Sequence, residues 1–349
     1  MRRRYRTRLR RPDVAADRHP VRGVNVDATT SRIEVPSGDL TLSVQVAGTG
    51  PLVILMHGWP ELGLSWRHQV APLAAAGHTV AVPDMRGFGG SGKPADVGAY
   101  DLDSLADDMA AVAAHLGART WVAVGDDWGA FVAWRCALRF PDAVRGVFSI
   151  GVPYIPSDTR PRSSATDTEG FFYVRYFQEV GLAEAELEAD VHGSLRHIFF
   201  ALSGGAPQDA WLTPRPATSR LREGLVEPPP GPLSFLPDDV LERFAAAYRA
   251  GGFFGPVSWY RNGMANAAQA AAYGDGRIRQ PAGFLAGERE IVLSINPDGR
   301  QAQRALIDDL RVDRIVPDAG HWLAQERPAE VTATLLEFLA ELPAPVVAR

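Results

Sequence analysis

The feature that most constrains the fold is a series of short, continuous apolar runs separated by helical patterns. The runs cover residues 52–56, 79–83, 121–125 and 144–151. Runs of this length and apolarity are typical of strands buried on both faces. Helical patterns lie between them, for example at 101–116 and 129–140. This alternation predicts an α/β fold with a mostly parallel central sheet and helices on both faces.

Further strand patterns flank this series, and a long helical stretch interrupts it. Residues 32–36 and 40–47 alternate apolar and polar side chains around Gly38-Asp39, which predicts a β-hairpin. Strand patterns return at 283–286 and 314–316, and a helical pattern covers 329–341. Residues 153–265 contain helical patterns and proline-rich connectors but no buried-strand run. We therefore predict a core of residues 31–152 and 266–349, with a helical cap, or lid, of residues 153–265 inserted after the sixth strand.

Composition and charge exclude several classes of protein. The chain has 349 residues, 46% hydrophobic and 22% charged, with a formal net charge of −5, so neither nucleic acid nor a membrane is an expected partner. Residues 1–30 begin with an arginine-rich stretch that no apolar segment follows, which predicts a disordered leader rather than a secretory signal. The expected location is cytoplasmic. The single cysteine, Cys136, excludes an internal disulfide, and no Cys/His spacing indicates a metal site.

The segment 124–130 carries the most specific chemical signal. It lies where a strand pattern ends and a helical pattern begins, and Gly125 and Gly129 stand two residues before and after Asp127. This is the spacing of a nucleophile elbow, where the turn is too tight for large side chains at those two positions. Asp126 would have Trp128 as its neighbour, so Asp127 is the predicted nucleophile. The alternative is an ordinary aspartate cap at the start of a helix.

Two other strand ends carry motifs. His57-Gly58-Trp59-Pro60-Glu61 follows the run 52–56, where a loop of this fold supplies an oxyanion-hole amide. The predicted donors are the backbone amides of Trp59 and Trp128, and Trp59–Pro60 is a candidate cis peptide. His57 is expected to be a structural hydrogen-bonding residue. The glycine-rich segment 84–92 is interpreted as structural, with Asp84 and Arg86 paired.

The base and its supporting acid are predicted from the C-terminal third. His321 follows Gly320 after a strand pattern, on a loop where a base can reach a substrate, whereas the other seven histidines occupy the leader, helical patterns, turns or the motif at 57–61. The acid should lie between nucleophile and histidine in chain order. Glu288 and Glu290 both follow the strand pattern 283–286, and Glu290 is preferred because it directly precedes the apolar pair 291–292.

With these residues together, the chain resembles the α/β-hydrolase-fold epoxide hydrolases, of the type of the soluble epoxide hydrolase catalytic domain. The resemblance runs from Ile33 to the C-terminus, although the core motifs are shared with haloalkane dehalogenases. In this family two lid tyrosines bond the epoxide oxygen. Their motifs are matched by Tyr173-Val174-Arg175-Tyr176-Phe177-Gln178 and Trp259-Tyr260-Arg261-Asn262, so the resemblance implies that role for Tyr173 and Tyr260.

Two positions depart from the family pattern. Asp126 stands where the family usually has histidine, and Glu290 stands where it usually has aspartate. A second buried carboxylate beside Asp127 would disfavour ionisation of both. We therefore expect Asp126 to point away from the nucleophile and to find a cationic or N–H partner.

The resemblance implies hydrolysis of an epoxide to a vicinal diol, through an ester on Asp127 that His321 and Glu290 help to hydrolyse. It implies a small-molecule epoxide substrate, and no metal or organic cofactor. The nearest alternative is a haloalkane dehalogenase with the same Asp–His chemistry. A different class, a ligand-binding protein that has lost turnover, also stays open, as does a homodimer. The natural substrate is not readable from the sequence.

Overall fold

The computed structural model describes residues 30–155, 170–207 and 210–343. The predicted leader, residues 1–30, lies outside the described residues except for Thr30. Eight strands form one sheet in the order β1-β2-β4-β3-β5-β6-β7-β8. They are β1 Ser31–Ser37, β2 Leu40–Ala47, β3 Leu52–Met56, β4 Thr79–Pro83, β5 Trp121–Asp126, β6 Val144–Ile150, β7 Ile278–Gly287 and β8 Ile307–Val316.

The sheet is antiparallel at one edge and parallel over the rest. β1 pairs with β2, and β2 with β4, in antiparallel register, and every other pair is parallel. The predicted hairpin and mostly parallel sheet are thus confirmed. All five residues of β3 are buried, and they alternate between two apolar clusters: Ile54 belongs to one and Val53 to the other. A strand that faces a packed layer on each side must be apolar throughout, which explains its uninterrupted run.

Helices cover both faces of this sheet. In the described residues they are α1 Val70–Ala75, α2 Leu102–His115, α3 Trp128–Arg139, α4 Tyr173–Tyr176, α5 Leu182–Ala189, α6 Val191–Ala201, α7 Asp238–Gly251, α8 Phe254–Ser258, α9 Gly263–Ala270, α10 Ile291–Ile295, α11 Gly299–Gln303, α12 Leu323–Glu326 and α13 Pro328–Ala340. Short 3₁₀ helices cover Gly63–Trp66, Val97–Tyr100, Arg222–Gly224, Trp259–Asn262 and Ala271–Tyr273. Asp101 caps α2 by accepting a hydrogen bond from the amide of Ser104, which fixes the start of that helix.

The inserted segment lies between β6 and β7, as the sequence predicts. Its described residues form helices, connectors and two isolated bridges, and none of them joins the sheet. Helical structure continues to Tyr273, and β7 begins at Ile278. The predicted limits of the cap, 153–265, therefore stay a prediction. β7 and β8 are ten residues each and begin well before the predicted runs, because their first halves carry polar side chains that hide the pattern.

One predicted contact is wrong: Asp84 does not pair with Arg86. Arg86 reaches the fully buried Asp108 of α2, with Nε 2.8 Å from Oδ2 and Nη2 2.6 Å from Oδ1. A buried carboxylate needs a charged partner, and Arg86 is the one in reach. Asp84 instead accepts hydrogen bonds from the amides of Gly63 and Gly90 and from Arg32.

Among the residues that the structure describes, no helix has the length and apolarity needed to cross a bilayer. The same residues contain no cluster of three or more histidine, cysteine, aspartate or glutamate side chains arranged to hold a metal ion. The thiol of Cys136 is buried in α3, as expected for a packing residue.

Candidate active site

The elbow at Asp127 has the geometry that the glycine spacing predicts. Asp127 joins β5 to α3 with a φ of 52°, a left-handed conformation that a residue with a side chain adopts only under strain. A Cβ on Gly125 would lie 2.0 Å from the carbonyl oxygen of Gly129, and one on Gly129 would lie 2.1 Å from that of Met56. Any larger residue at either position would clash with backbone, so the two glycines permit the turn.

The carboxylate of Asp127 is held between a backbone amide and a histidine. Its Oδ1 accepts a hydrogen bond of 2.8 Å from the amide of Trp59, and its Oδ2 lies 3.5 Å from Nε2 of His321. The Trp59–Pro60 bond is cis, as predicted. One oxygen is therefore already placed in an amide pocket while the other faces the histidine. The Trp128 amide, at the first residue of α3, remains a predicted second donor.

His321 lies in the loop after β8, and Glu290 orients its ring. Its Nδ1 is 2.8 Å from Oε1 of Glu290, a buried residue that also caps α10 by accepting from the amide of Val292. Glu288 is exposed and accepts from the amide of Asp318, so it is not the acid in contact with His321. Burial lowers the pKa of His321. The charge of Glu290 and the contact with Asp127 raise it, and they outweigh burial, so that the pKa of His321 lies well above its ordinary value.

His57 lies under the same corner as a structural residue, as expected. Its Nε2 accepts a hydrogen bond of 2.9 Å from the amide of Met85, and its Nδ1 lies 2.9 Å from the carbonyl oxygen of Gly58. A nitrogen that accepts from an amide carries no proton, so the ring is neutral with its proton on Nδ1. Complete burial lowers the pKa of His57 to about 4, which keeps it neutral near pH 7.

The cap places Tyr173 and Tyr260 above the elbow. Tyr173 begins α4, Tyr260 lies in the 3₁₀ helix Trp259–Asn262, and their ring centroids are 5.9 Å apart. The Tyr260 ring packs edge-on against Trp128 at 5.0 Å and Trp59 at 5.9 Å. Burial raises the pKa of both hydroxyls, and the charge of Asp127 raises it further. Both phenols therefore remain protonated hydrogen-bond donors.

A third tyrosine of the cap, Tyr176, differs from these two in the partner of its hydroxyl. The hydroxyl of Tyr176 donates a hydrogen bond of 2.6 Å to Glu186 of α5, so it serves the packing of the cap.

Trp211, to which the sequence assigned no role, packs edge-on against Tyr173 at 5.3 Å. It also lines a cleft of about 400 Å³ beside the loop that carries Glu288 and Arg289. No motif identified Trp211, because its segment carries no pattern apart from its prolines.

Glu61 is a second residue to which the sequence assigned no role. It is buried near the triad and accepts a hydrogen bond of 2.6 Å from Nε2 of Gln325 in α12. Burial raises the pKa of Glu61 to about 7. Its position in the motif 57–61 was the only available signal, and the partner lies 264 positions away in the chain.

Among the described residues, the cationic or N–H partner expected for Asp126 is absent at Oδ1, one of its two carboxylate oxygens. Asp126 is the last residue of β5 and is buried, and its Oδ1 has no hydrogen-bond partner among the described residues. Asp126 is almost fully buried, and no cationic group of the described residues lies within ion-pair distance of Oδ1.

Comparisons with known proteins agree with this geometry. A model of the α/β-hydrolase fold family matches residues 51–209. The chain is 38% identical to epoxide hydrolase A of Mycobacterium tuberculosis over 326 residues, which cover 90% of this chain and 98% of that protein. The crystal structure of epoxide hydrolase A from Mycobacterium thermoresistibile superposes with a TM-score of 0.82 at 34% identity, covering 90% of this chain and all of that one.

A further solved structure gives the same result. An epoxide hydrolase from an endophytic Streptomyces superposes with a TM-score of 0.84 at 36% identity, covering 90% of this chain and 95% of that one. Similarity at this level extends over the core and the inserted helices together. The chain therefore belongs to the epoxide hydrolase family of α/β-hydrolase-fold enzymes.

Proposed function

We propose that this protein converts an epoxide and water to a vicinal diol through an ester formed on Asp127, in two steps. Asp127 attacks an sp³ carbon, so the intermediate is an alkyl ester that the same site can hydrolyse. The observation that carries the proposal is the line of three groups: Asp127 Oδ2 lies 3.5 Å from His321 Nε2, and His321 Nδ1 lies 2.8 Å from Glu290.

In the first step, Oδ2 of Asp127 forms a bond to an epoxide carbon while the carbon–oxygen bond of the ring breaks. Oδ1 is already held by the Trp59 amide, which leaves Oδ2 as the attacking atom. The hydroxyls of Tyr173 and Tyr260 donate hydrogen bonds to the epoxide oxygen as it gains negative charge. Because both hydroxyls hold their protons firmly, they are donors before and during ring opening.

In the second step, His321 takes a proton from water, and the hydroxide attacks the carbonyl carbon of the ester. Oδ1 is now the carbonyl oxygen, and the amides of Trp59 and Trp128 stabilise its negative charge. The intermediate then collapses, and His321 returns its proton to the oxygen that leaves Asp127. The second proton of the water, left on the Asp127 carboxyl group, passes to the alkoxide that ring opening produced, so that the diol has two hydroxyls and Asp127 is again a carboxylate. Ester formation also removes the negative charge of Asp127, one of the groups that raise the pKa of His321. Ester formation therefore lowers the pKa of His321 and favours its neutral form in the step that needs a base.

The cleft beside Trp211 supports access for a small molecule. It has a volume of about 400 Å³, and it is lined by Trp211, whose ring packs against that of Tyr173. Its volume lies in the range of pockets that hold small ligands. A cytoplasmic location and a homodimer stay predictions of the sequence.

Incubation of the purified protein with a panel of aryl and aliphatic epoxides tests this function, with diol measured by chromatography. Parallel incubation with haloalkanes measures halide release. Diol formation without halide release, lost in Asp127→Ala, is the expected result. Halide release without diol would make the protein a dehalogenase, and no turnover of either class would favour the binding-protein alternative.

A further inference from the structure

Two buried carboxylate oxygens behind the triad have no hydrogen-bond partner among the described residues. One is Oδ1 of Asp126, which is 2% exposed, and the other is Oε2 of Glu290, which is 1% exposed. The other oxygen of Glu290, Oε1, is the one that contacts His321. An unpartnered buried carboxylate oxygen is costly, and two of them in one protein region call for a physical explanation.

These two oxygens approach the same point, Gly151, just after β6. A Cβ on Gly151 would lie 2.8 Å from Oε2 of Glu290 and 3.6 Å from Oδ1 of Asp126. The Gly151 amide already donates to the carbonyl oxygen of Leu285, so it serves neither carboxylate. Both oxygens therefore lie beside the space that a side chain at Gly151 would fill, a separation that a direct hydrogen bond or one bridging water molecule can span.

The charges around Asp126 favour its neutral form. Burial raises the pKa of Asp126 well above its ordinary value, the charge of Glu61 raises it further, and the charges of Glu290 and Asp127 add to this. The charge of His321 acts in the opposite direction and lowers it. Since two ionised carboxylates this close in a buried site repel each other, one of them keeps its proton.

We propose that Asp126 is a protonated positioning residue that donates a hydrogen bond to Oε2 of Glu290, directly or through one bridging water. The bond fixes the plane of the Glu290 carboxylate, so that Oε1 stays aimed at Nδ1 of His321. Asp126 thus acts through Glu290 and does not contact the substrate. The positioning of His321 by Glu290 rests on the proposed function, whereas the proton on Asp126 and its hydrogen bond to Glu290 do not.

Infrared difference spectroscopy tests the proton without any turnover. The spectrum of the wild type minus that of Asp126→Asn, recorded at pH 7, should contain the C=O stretch of a protonated carboxyl group. This band should shift in D₂O. Bands of an ionised carboxylate alone would overturn the proposal. This result is independent of whether the protein hydrolyses epoxides, so the two failures are distinguishable.

The pH dependence of ester hydrolysis tests the positioning role. The rate should rise with pH as His321 loses its proton, and the groups that face His321 are Glu290, Asp127, Glu61 and Asp126. Asp126→Ala removes the donor to Glu290, whose full charge then holds the imidazolium more strongly. The rise should move to higher pH by about half a unit to one unit, and the rate at pH 7 should fall about three- to tenfold.

Asp126→Asn keeps an N–H donor at the same place and should restore most of this loss, with its rise close to that of the wild type. Val124→Ala, a buried change two residues earlier on β5, is the packing control. It should lower the melting temperature without moving the pH profile. Equal shifts in Asp126→Ala and Asp126→Asn, or a shift in neither, would contradict the positioning role.

Discussion

The core and the cap contribute to the site in different ways. Asp127, Glu290 and His321 follow the carboxyl ends of β5, β7 and β8, three parallel strands of the sheet. Each of the three has a named polar partner within 3.5 Å. Tyr173 and Tyr260 come from short helices of the inserted segment, where rings packed at 4.9–5.9 Å from each other and from Trp59, Trp128, Phe177 and Trp211 hold them.

This difference in how the side chains are held corresponds to a difference in what each region contributes to the chemistry. The sheet edge supplies charged groups, whose positions are set by backbone geometry and by hydrogen bonds. The cap supplies neutral donors, whose positions are set mainly by edge-to-face packing of aromatic rings. Loss of a charged group should remove a chemical step, whereas loss of one of two neutral donors should only slow a step.

The largest effect is expected for the nucleophile. Asp127→Ala removes the atom that bonds to the substrate, so diol formation should fall by at least about a thousandfold. Diol formed in single turnover measures this loss. Asp142→Ala, an exposed aspartate after α3, should retain wild-type activity. Turnover in Asp127→Ala near the wild-type level would end the assignment of a nucleophile to the core.

His321→Gln should separate the two steps. Ring opening needs only Asp127 and the tyrosines, while hydrolysis of the ester should slow by a factor of about 10² to 10⁴. The ester should therefore accumulate, and intact-protein mass spectrometry should find the protein heavier by the mass of one epoxide. The exposed His115→Gln is the control. A variant that neither turns over nor forms an adduct would contradict a base that acts only in the second step.

The core also predicts an acid-dependent stability. His57 is neutral in the folded protein down to pH about 4, whereas the unfolded chain takes up this proton near pH 6.5. The stability that depends on neutral His57 is therefore fully present above pH 6.5. It is lost as the pH falls towards 4, by at most about 3 kcal/mol.

His57→Asn lacks this titration and keeps every other one, including that of Glu61. Its deficit in free energy of unfolding relative to the wild type should shrink between pH 6.5 and 4. Denaturant unfolding at several pH values measures the difference. A deficit that stays constant over this range would mean that folding does not shift the pKa of His57.

A smaller effect is expected in the cap. Tyr260→Phe removes one of two donors to the epoxide oxygen, so ring opening should slow by about tenfold. Rapid-mixing measurements of ester formation give the rate of ring opening. Tyr176→Phe is the matched control, because that hydroxyl is bound to Glu186 and not directed at Asp127. A loss for Tyr260→Phe as large as that for Asp127→Ala would remove the contrast between core and cap.

The smallest effect is expected at the cleft. Trp211→Ala removes the ring that lines the cleft and packs against Tyr173, so bulky epoxides should gain over small ones by about threefold in kcat/KM. Steady-state kinetics with one bulky and one small epoxide measures this ratio, and Trp211→Phe should change it less. An unchanged ratio would mean that substrates do not pass Trp211.

The core was far more readable from the sequence than the cap. The glycine spacing around Asp127, the strand runs and the glycine before His321 follow from local sterics, which one sequence displays. Tyr173 and Tyr260 were identified only through a family resemblance, because aromatic side chains at helical spacing also suit ordinary packing. The partners of Arg86 and Glu61 are distant in the chain, and Oδ1 of Asp126 has none among the described residues. No local sequence pattern indicates these three environments.

A single turnover in heavy-oxygen water, with enzyme in excess over epoxide, most directly tests the ester on Asp127. Water attacks the carbonyl carbon of the ester, so the new oxygen of the first diol should come from the unlabelled Asp127 carboxylate. The heavy oxygen should appear in the peptide that contains Asp127. A first diol that carries the heavy oxygen would show direct attack of water on the epoxide and would contradict the covalent mechanism.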